Sequence, residues 1–372
     1  MDMTLTDEQV AIRDLAAQVL AGREDRTTRE RSAADPDGVD RALWASLASS
    51  GLLGTAVPEA HGGAGLGLLE LCLLLEEVGR TAADVPALTL ALGALPLARF
   101  GTPAQQEVLR RVATGEAVVT AALSEPHGDP YAPATTAAVT DGCWVLSGTK
   151  TAVVAGTYAD VVLLPAALPD GTTAVFAVGR DRLAPQRQTS TTTAPLALLE
   201  LDGLLVTTDD LLGAEAPGEV LPWLVERATV ALCAVQSGVS DAALRLTATY
   251  VTDRQQFGRS IASFQAVTQR AGQGYVDAHA IRLTMLQAAW RLDNAMPAAT
   301  QVAVAKHWAA EGGQRVAHTA QHLHGGVGVD RDYPLHRYFL LAKSLELSLG
   351  GATRSLVRLG DLLAEDDTLV PA

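Results

Sequence analysis

The stretch TYVTDRQQFGRSIASFQAVTQRAGQGYVDAHAIRL, residues 249–283, decides how the rest of the chain is read. Both flanks have the spacing of long amphipathic helices, and Arg254 to Ser260 interrupts them with a basic, aromatic, glycine-bearing turn. Two arginines, Arg254 and Arg259, bracket the turn, and Phe257 and Phe264 offer aromatic surface. A guanidinium presents a planar fork of donors that suits phosphate. The plainer reading is a charged helix–helix turn anchored by one buried Phe.

Working outward, the C-terminal part reads as four long helical segments, roughly 217–254, 261–294, 297–323 and 340–365. Short connections between them predict an antiparallel four-helix bundle. Upstream, from about 117 to 215, the segments AVVTAALSE, AAVTDGCWVLSGTKTAVVAG, ADVVLLPAAL, TTAVFAVGR and LALLELDGLLVTTDDLLG are short, rich in β-branched residues and punctuated by Gly, Pro and Asp. They predict a β-domain, a small sandwich or barrel. Residues 1–116 read as helical. Thr6 and Gln9 make a capping box with Leu5 placed to staple onto Val10. Thr102 and Pro103 open another helix that stops at Gly115, and PEAHGGAGLG near residue 60 is a glycine-rich loop. The expected fold class is therefore α+β: an N-terminal helical domain (1–116), a middle β-barrel or sandwich (117–215) and a C-terminal four-helix bundle (216–372).

The chain has 372 residues, 48% of them hydrophobic, and a net charge of −14. It has apolar material for large cores and for a subunit interface. The acidic balance argues against nucleic acid or an anionic membrane as partner, so any anionic ligand must meet a local Arg cluster. Cys72, Cys143 and Cys233 are far apart with no CxxC, which fits a reducing compartment and neither a disulfide framework nor zinc. The acidic start MDMTLTDEQV is unlike a signal peptide, and the apolar runs are too short to span a bilayer. The expected localisation is cytoplasmic.

A second segment, HTAQHLHGGVGVDRDYPLHRYF at 318–339, ends a helix in glycine. His322, Gly325 and Gly326 stand where bare backbone can approach a ligand. The alternative is a glycine C-cap followed by a loop. His322 and His324, at i and i+2, do not converge on one metal. A third segment, ALSEPHGDP followed by CWVLSGTKTAVVAGTYADVVLL, places a Ser-Glu-Pro loop before a long hairpin.

In this order and on this architecture, the three segments resemble the acyl-CoA dehydrogenase family of flavoproteins over essentially the whole chain. The resemblance is strongest in RQQFGRSIASFQAVTQR and HLHGGVGVDRDYPLHRYFLLAK. It implies a tetramer with FAD bound across a dimer interface, the flavin ring on one subunit's β-domain and the pyrophosphate and adenosine held by the neighbour. Carried over, Arg254, Phe257, Gln265, His322, Gly325 and Gly326 would touch FAD across that interface. The implied chemistry is α,β-dehydrogenation of an acyl-CoA, with a glutamate as base and an electron-transferring flavoprotein as oxidant of the reduced flavin.

The sequence departs from the family pattern at three places. The flavin-ring loop, usually Thr-Glu-Pro-x-Ala-Gly-Ser-Asp, is Ser124-Glu125-Pro126-His127-Gly128-Asp129-Pro130. The next strand, usually Trp-Ile-Thr-Asn-Gly, is Thr151-Ala152-Val153-Val154-Ala155-Gly156, with no aromatic to stack on the ring. The usual glutamate position falls on Leu349 or Gly350, neither of which takes a proton. Glu226, the candidate base on the first bundle helix, is offset by about two residues from the family's alternative position and so turns to another face. It also reads simply as a solvated charge beside Arg227. Glu346 reads as structural. The combination resembles the non-catalytic β subunit of the α2β2 acyl-CoA dehydrogenases of steroid side-chain degradation, in which a catalytic α subunit keeps the base and ring contacts. Two alternatives are a self-sufficient homotetramer that uses Glu226 and a scaffold that has lost flavin.

Overall fold

The computed structural model describes residues 4–22, 30, 32–140, 142–192 and 194–365. Residues 23–29, inside the run expected to be helical, and 366–372, at the end of the expected third domain, lie outside the described residues. Helices occupy the chain up to Ala113, strands run from Val119 to Val206, and helices resume at Pro217. No helix is long and apolar enough to cross a membrane among the described residues. Contacts divide the chain into two compact units, one containing residues 4–22, 72–83 and 229–365, the other 84–228 with the described part of 30–71.

The first unit is helical. Helix α1 (Asp7–Leu20) starts on the Thr6/Gln9 capping box, and Thr6 Oγ1 accepts the Gln9 N–H at 3.2 Å. Helix α2 (Arg41–Ser49) is next in the chain and lies in the second unit, and α3 (Leu68–Thr81) belongs to the first from Cys72 on. The long helices come later: α7 (Pro217–Asp253), in this unit from Thr229, α8 (Gln265–Asp293), α9 (Ala299–His307) and α10 (Gly313–His324), then α11 (Leu335–Leu347) and α12 (Ala352–Glu365). The α3 and α7 backbones approach closely because a methyl on Gly79 would collide with the Val235 carbonyl and one on Gly238 with that of Glu76. The buried Glu76 carboxylate accepts from Ser237 Oγ at 2.9 Å and from Arg282 Nε at 2.8 Å, so its charge is both paired and hydrogen-bonded.

Two segments differ from the expectation. The third is interrupted between α9 and α10 by a π-helical turn, Trp308–Gly312. The fourth, expected as one helix over 340–365, is two. Leu349 and Gly350 take left-handed φ values of 53° and 98°, and the glycine pair Gly350–Gly351 ends the ladder. The last carbonyls of α11 are capped from α9. Buried Lys306 donates its Nζ to the Leu345 carbonyl at 2.8 Å and lies 3.3 Å from that of Glu346. Burial pushes its pKa down to about 8.

The second unit holds α2, the short helices α4 (Leu95–Phe100), α5 (Pro103–Gln106) and α6 (Val108–Ala113), and one seven-stranded sheet. Thr102 caps α5 in a full capping box with Gln105. The strands are β1 (Val119–Ala121), β2 (Thr136–Thr140), β3 (Cys143–Val154), β4 (Val161–Ala167), β5 (Thr173–Gly179), β6 (Gln186–Gln188) and β7 (Leu196–Val206). Their order is β1-β4-β2-β3-β7-β6, with β5 on the other side of β4. β1 and β2 share one edge of β4, both parallel to it, and the remaining pairs are antiparallel. Phe176, Leu146, Val162, Leu164, Leu199 and Val206 form the core, with Trp144 packed on Phe176 at 5.6 Å between centroids. Alternating burial over 196–201 in β7 is the period-2 pattern of a half-buried strand.

Candidate functional site

The turn after α7 is a β-hairpin. Gln255–Gln256 (β8) pairs antiparallel with Arg259–Ser260 (β9), leaving Phe257 and Gly258 as a two-residue loop. Both have positive φ, 54° and 77°, the signature of a type I′ turn. The first position normally takes Asn, Asp or Gly. A Phe in left-handed backbone costs roughly 1–2 kcal/mol. Ser260 locks the hairpin to the helix, its Oγ lying 2.9 Å from the Val251 and Thr252 carbonyls, and the Ile261 N–H closes onto the Arg254 carbonyl at 2.9 Å.

Phe257 is 91% exposed and Phe264 is half-buried, so neither ring is the fully buried anchor of the plainer reading. Its ring meets Phe264 edge-on at 6.0 Å, and the Arg259 guanidinium covers the same Phe264 at 4.0 Å. Strain at an exposed aromatic marks a position shaped for something outside the chain. Gln265 is exposed at the first residue of α8, whose cap position, Phe264, supplies no side-chain acceptor. The helix therefore opens with its positive end unsatisfied by a cap. Arg254, Arg259 and Arg270 are exposed and make no ion pair among the described residues, a local cationic group on an acidic chain.

The glycine segment belongs to the same unit. His322, Gly325 and Gly326 are all exposed. Gly325 has φ 59° and ψ −136°, a combination open essentially to glycine alone. A Cβ on Gly325 or Gly326 would meet nothing within 4 Å, so no internal packing requires these glycines and the space is free for a ligand. Gly328 is different, since a methyl there would meet Gln321 at 3.0 Å.

From the sequence, His324 is weighed only as a metal ligand, and Tyr250 and Tyr333, which join the two segments with it, are left out. His324 is buried and stacks on Tyr250 of α7, with centroids 4.4 Å apart and planes inclined by 22°. Its Nε2 meets the Tyr333 hydroxyl at 3.1 Å. Tyr250, one helical turn before Arg254, was the available signal. Arg254, Phe257, Gln265, His322, Gly325 and Gly326 thus sit on two segments linked by one aromatic cluster. They fit the phosphate and nucleoside end of a dinucleotide: unpaired guanidinium groups, bare glycine backbone and an exposed aromatic face.

Glu226 belongs to the other unit, half-buried on α7. The Leu349–Gly350 position is the left-handed break described above and carries no acid.

The ring loop and β3 in that other unit are committed internally. The Glu125 carboxylate accepts from Ala134 N at 2.6 Å, Thr135 N at 3.1 Å, Thr135 Oγ1 at 2.6 Å and Lys150 Nζ at 2.6 Å. Both side chains of this ion pair are almost wholly buried, 5% and 1% exposed. Burial raises the Glu125 pKa, but the bonds from Lys150 and Thr135 outweigh it and hold the carboxyl below its ordinary range. At the strand position that matches the family's aromatic, Ala152 is left-handed at φ 52° and its N–H goes to Gln188 Oε1 at 2.8 Å. Thr151 gives its N–H to the Ser124 carbonyl and its hydroxyl to the same Gln188 oxygen. No aromatic ring and no free donor at 151–152 face a flavin ring, so these residues do not fit that end of FAD.

Comparison with known proteins places the whole chain in a family. Residues 6–116 match the model of the acyl-CoA dehydrogenase N-terminal domain, and residues 223–357 that of its C-terminal domain. The acyl-CoA dehydrogenase FadE27 of Mycobacterium tuberculosis is 43% identical over 88% of this chain and 89% of its own. FadE28 of the same organism is 34% identical over 97% and 98%. Among solved structures, the ChsE4-ChsE5 complex from Mycobacterium tuberculosis superposes with a TM-score of 0.92 at 40% identity, covering all of both chains. A variant of the Tcur3481-Tcur3483 steroid ACAD gives 0.90 at 41% identity, over 97% of this chain and 99% of that one. The chain belongs to the acyl-CoA dehydrogenase family.

Proposed function

We propose that this chain is the FAD-completing, non-catalytic subunit of a heteromeric acyl-CoA dehydrogenase. The observation that carries the reading is an asymmetry within the chain. The residues of the hairpin and the glycine loop are exposed, Arg254 makes no ion pair among the described residues, and Phe257 holds a left-handed backbone. The ring-facing strand has lost its aromatic and spent its donors on Gln188 and Ser124. Arg254, His322, Gly325, Gly326 and Gln265 hold the phosphate and nucleoside end of FAD, and Phe257 covers it from the hairpin tip. When bound, FAD supplies the two-electron acceptor for α,β-dehydrogenation of an acyl-CoA. The base and the ring contacts come from a catalytic acyl-CoA dehydrogenase α subunit, in an α2β2 assembly, with electron-transferring flavoprotein as the electron acceptor.

The reading is supported by two similar structures, each described as a pair of components, one of them a steroid ACAD. A steroid side-chain CoA thioester is the substrate class this favours. The test is to purify the chain alone and with the catalytic subunit it assembles with. The account expects a colourless, inactive chain and a yellow, active complex. A chain that is yellow and turns over acyl-CoA by itself contradicts it.

A further inference from the structure

The hairpin that carries Arg254 and the loop that carries Gly325 are far apart in sequence, and one buried side chain joins them. His324 is 2% exposed. Its Nδ1 lies 2.8 Å from the Ala320 carbonyl, which can only accept, so Nδ1 carries the proton and donates. That fixes the tautomer and leaves Nε2 to accept the Tyr333 hydroxyl at 3.1 Å. The ring face stacks on Tyr250, whose carbonyl accepts the Arg254 N–H at 2.9 Å. Gly325 follows His324 directly, and Tyr333 closes the far end of the glycine loop, its N–H on the Asp330 carbonyl at 3.2 Å. Tyr250 also meets Tyr333 edge-on at 6.3 Å. One imidazole therefore contacts the end of α7, the end of α10 and the return of the loop.

A Leu or Phe would fill this volume without burying two polar nitrogens. What the imidazole adds is direction. Two hydrogen bonds on opposite nitrogens and a stacked face leave its ring no rotation; its stacking partner Tyr250 is one hydrogen bond from Arg254, and Gly325 is its neighbour in the chain. Burial pushes the His324 pKa down, consistent with a neutral ring in this role.

We propose that His324 is a positioning residue for the dinucleotide, fixing the spacing between the Arg254 hairpin and the Gly325–Gly326 backbone so that the two segments bind as one clamp. It touches no ligand itself. The proposal rests on the function proposed above, and its test separates the two.

The complex of this chain with its catalytic subunit is stripped of FAD and titrated with FAD, reading flavin fluorescence and the visible circular dichroism of the bound flavin. Arg254→Ala is expected to weaken binding by about tenfold or more, as loss of a charged donor to phosphate does. Tyr333→Phe, which removes one hydroxyl and keeps the ring, is expected to weaken it about fivefold, the share of one neutral hydrogen bond. His324→Phe loses both bonds, weakens it further and alters the flavin dichroism. The decisive variant is Arg254→Ala with His324→Phe. If His324 acts through the hairpin, the double variant binds within about twofold of Arg254→Ala alone, because residues acting as a unit are not additive. Losses that multiply, or Tyr333→Phe and His324→Phe complexes that bind like wild type, overturn the positioning role. If His324→Phe does not assemble, Tyr333→Phe decides. Unchanged binding in Arg254→Ala overturns the parent reading and this one together. Weakened binding there with neutral His324 and Tyr333 variants overturns this one alone.

Discussion

Replacing Phe257 by Asn separates the two things a strained exposed aromatic can be for. Phe257 holds φ 54° at the first position of a type I′ turn, where Asn is a preferred residue. Relief of left-handed strain is worth about 1 kcal/mol or a little more. The internal loss is the edge contact with Phe264 at 6.0 Å, worth about 0.5–1 kcal/mol at an exposed site. The two nearly cancel, so the melting temperature of the chain by circular dichroism should be unchanged or slightly higher. Binding should respond differently. An aromatic side chain buries about 150–250 Å² when covered, and Phe257 is 91% exposed in the chain. Covering about half of it at about 25 cal/mol/Å² gives about 2 kcal/mol, or roughly thirtyfold in FAD affinity of the complex. A variant that melts well below wild type and binds FAD normally would show that Phe257 serves the fold, and would refute the functional reading of its strain.

Other predictions follow from the same contacts. Gly326→Ala should leave stability unchanged and weaken FAD binding, because its Cβ meets nothing inside the chain, whereas Gly325→Ala should lower stability through its φ 59°, ψ −136° backbone; thermal melts and FAD titrations distinguish them. His324 has a pKa below its ordinary 6.5, so the unfolded chain binds more protons there. Stability contributed by its neutral ring is complete above 6.5 and is lost as pH falls below that value. Wild type should therefore lose more melting temperature than His324→Phe between about pH 7 and about pH 5. Glu226→Gln should leave turnover of the complex unchanged, whereas loss of a general base costs orders of magnitude in rate.

Much of the fold was legible because its signals are local. The Thr6/Gln9 box and the Thr102–Pro103 start lie within single turns, and the strands were visible as β-branched runs between turn residues. The family resemblance brought in the site segments together with their residues. What stayed hidden depends on distance or backbone. Gly350–Gly351 was a visible breaker, but the long apolar run on either side carried the helical reading through it, and the Lys306 cap on α11 reaches across 39 positions. The π-turn at Trp308–Gly312 leaves the apolar pattern intact. Gln-Phe-Gly-Arg is not a usual type I′ sequence, since a Phe takes the place of Asn or Asp. The Tyr250–His324 stack and the Glu125–Lys150 pair join residues that only the folded chain brings together.

The ratio of FAD to polypeptide in the native assembly separates a shared dinucleotide site from a self-sufficient one. The account predicts a complex of two kinds of chain holding half as many FAD molecules as chains, each needing Arg254 from this subunit. A fully occupied assembly of this chain alone, one FAD for every copy, would contradict it.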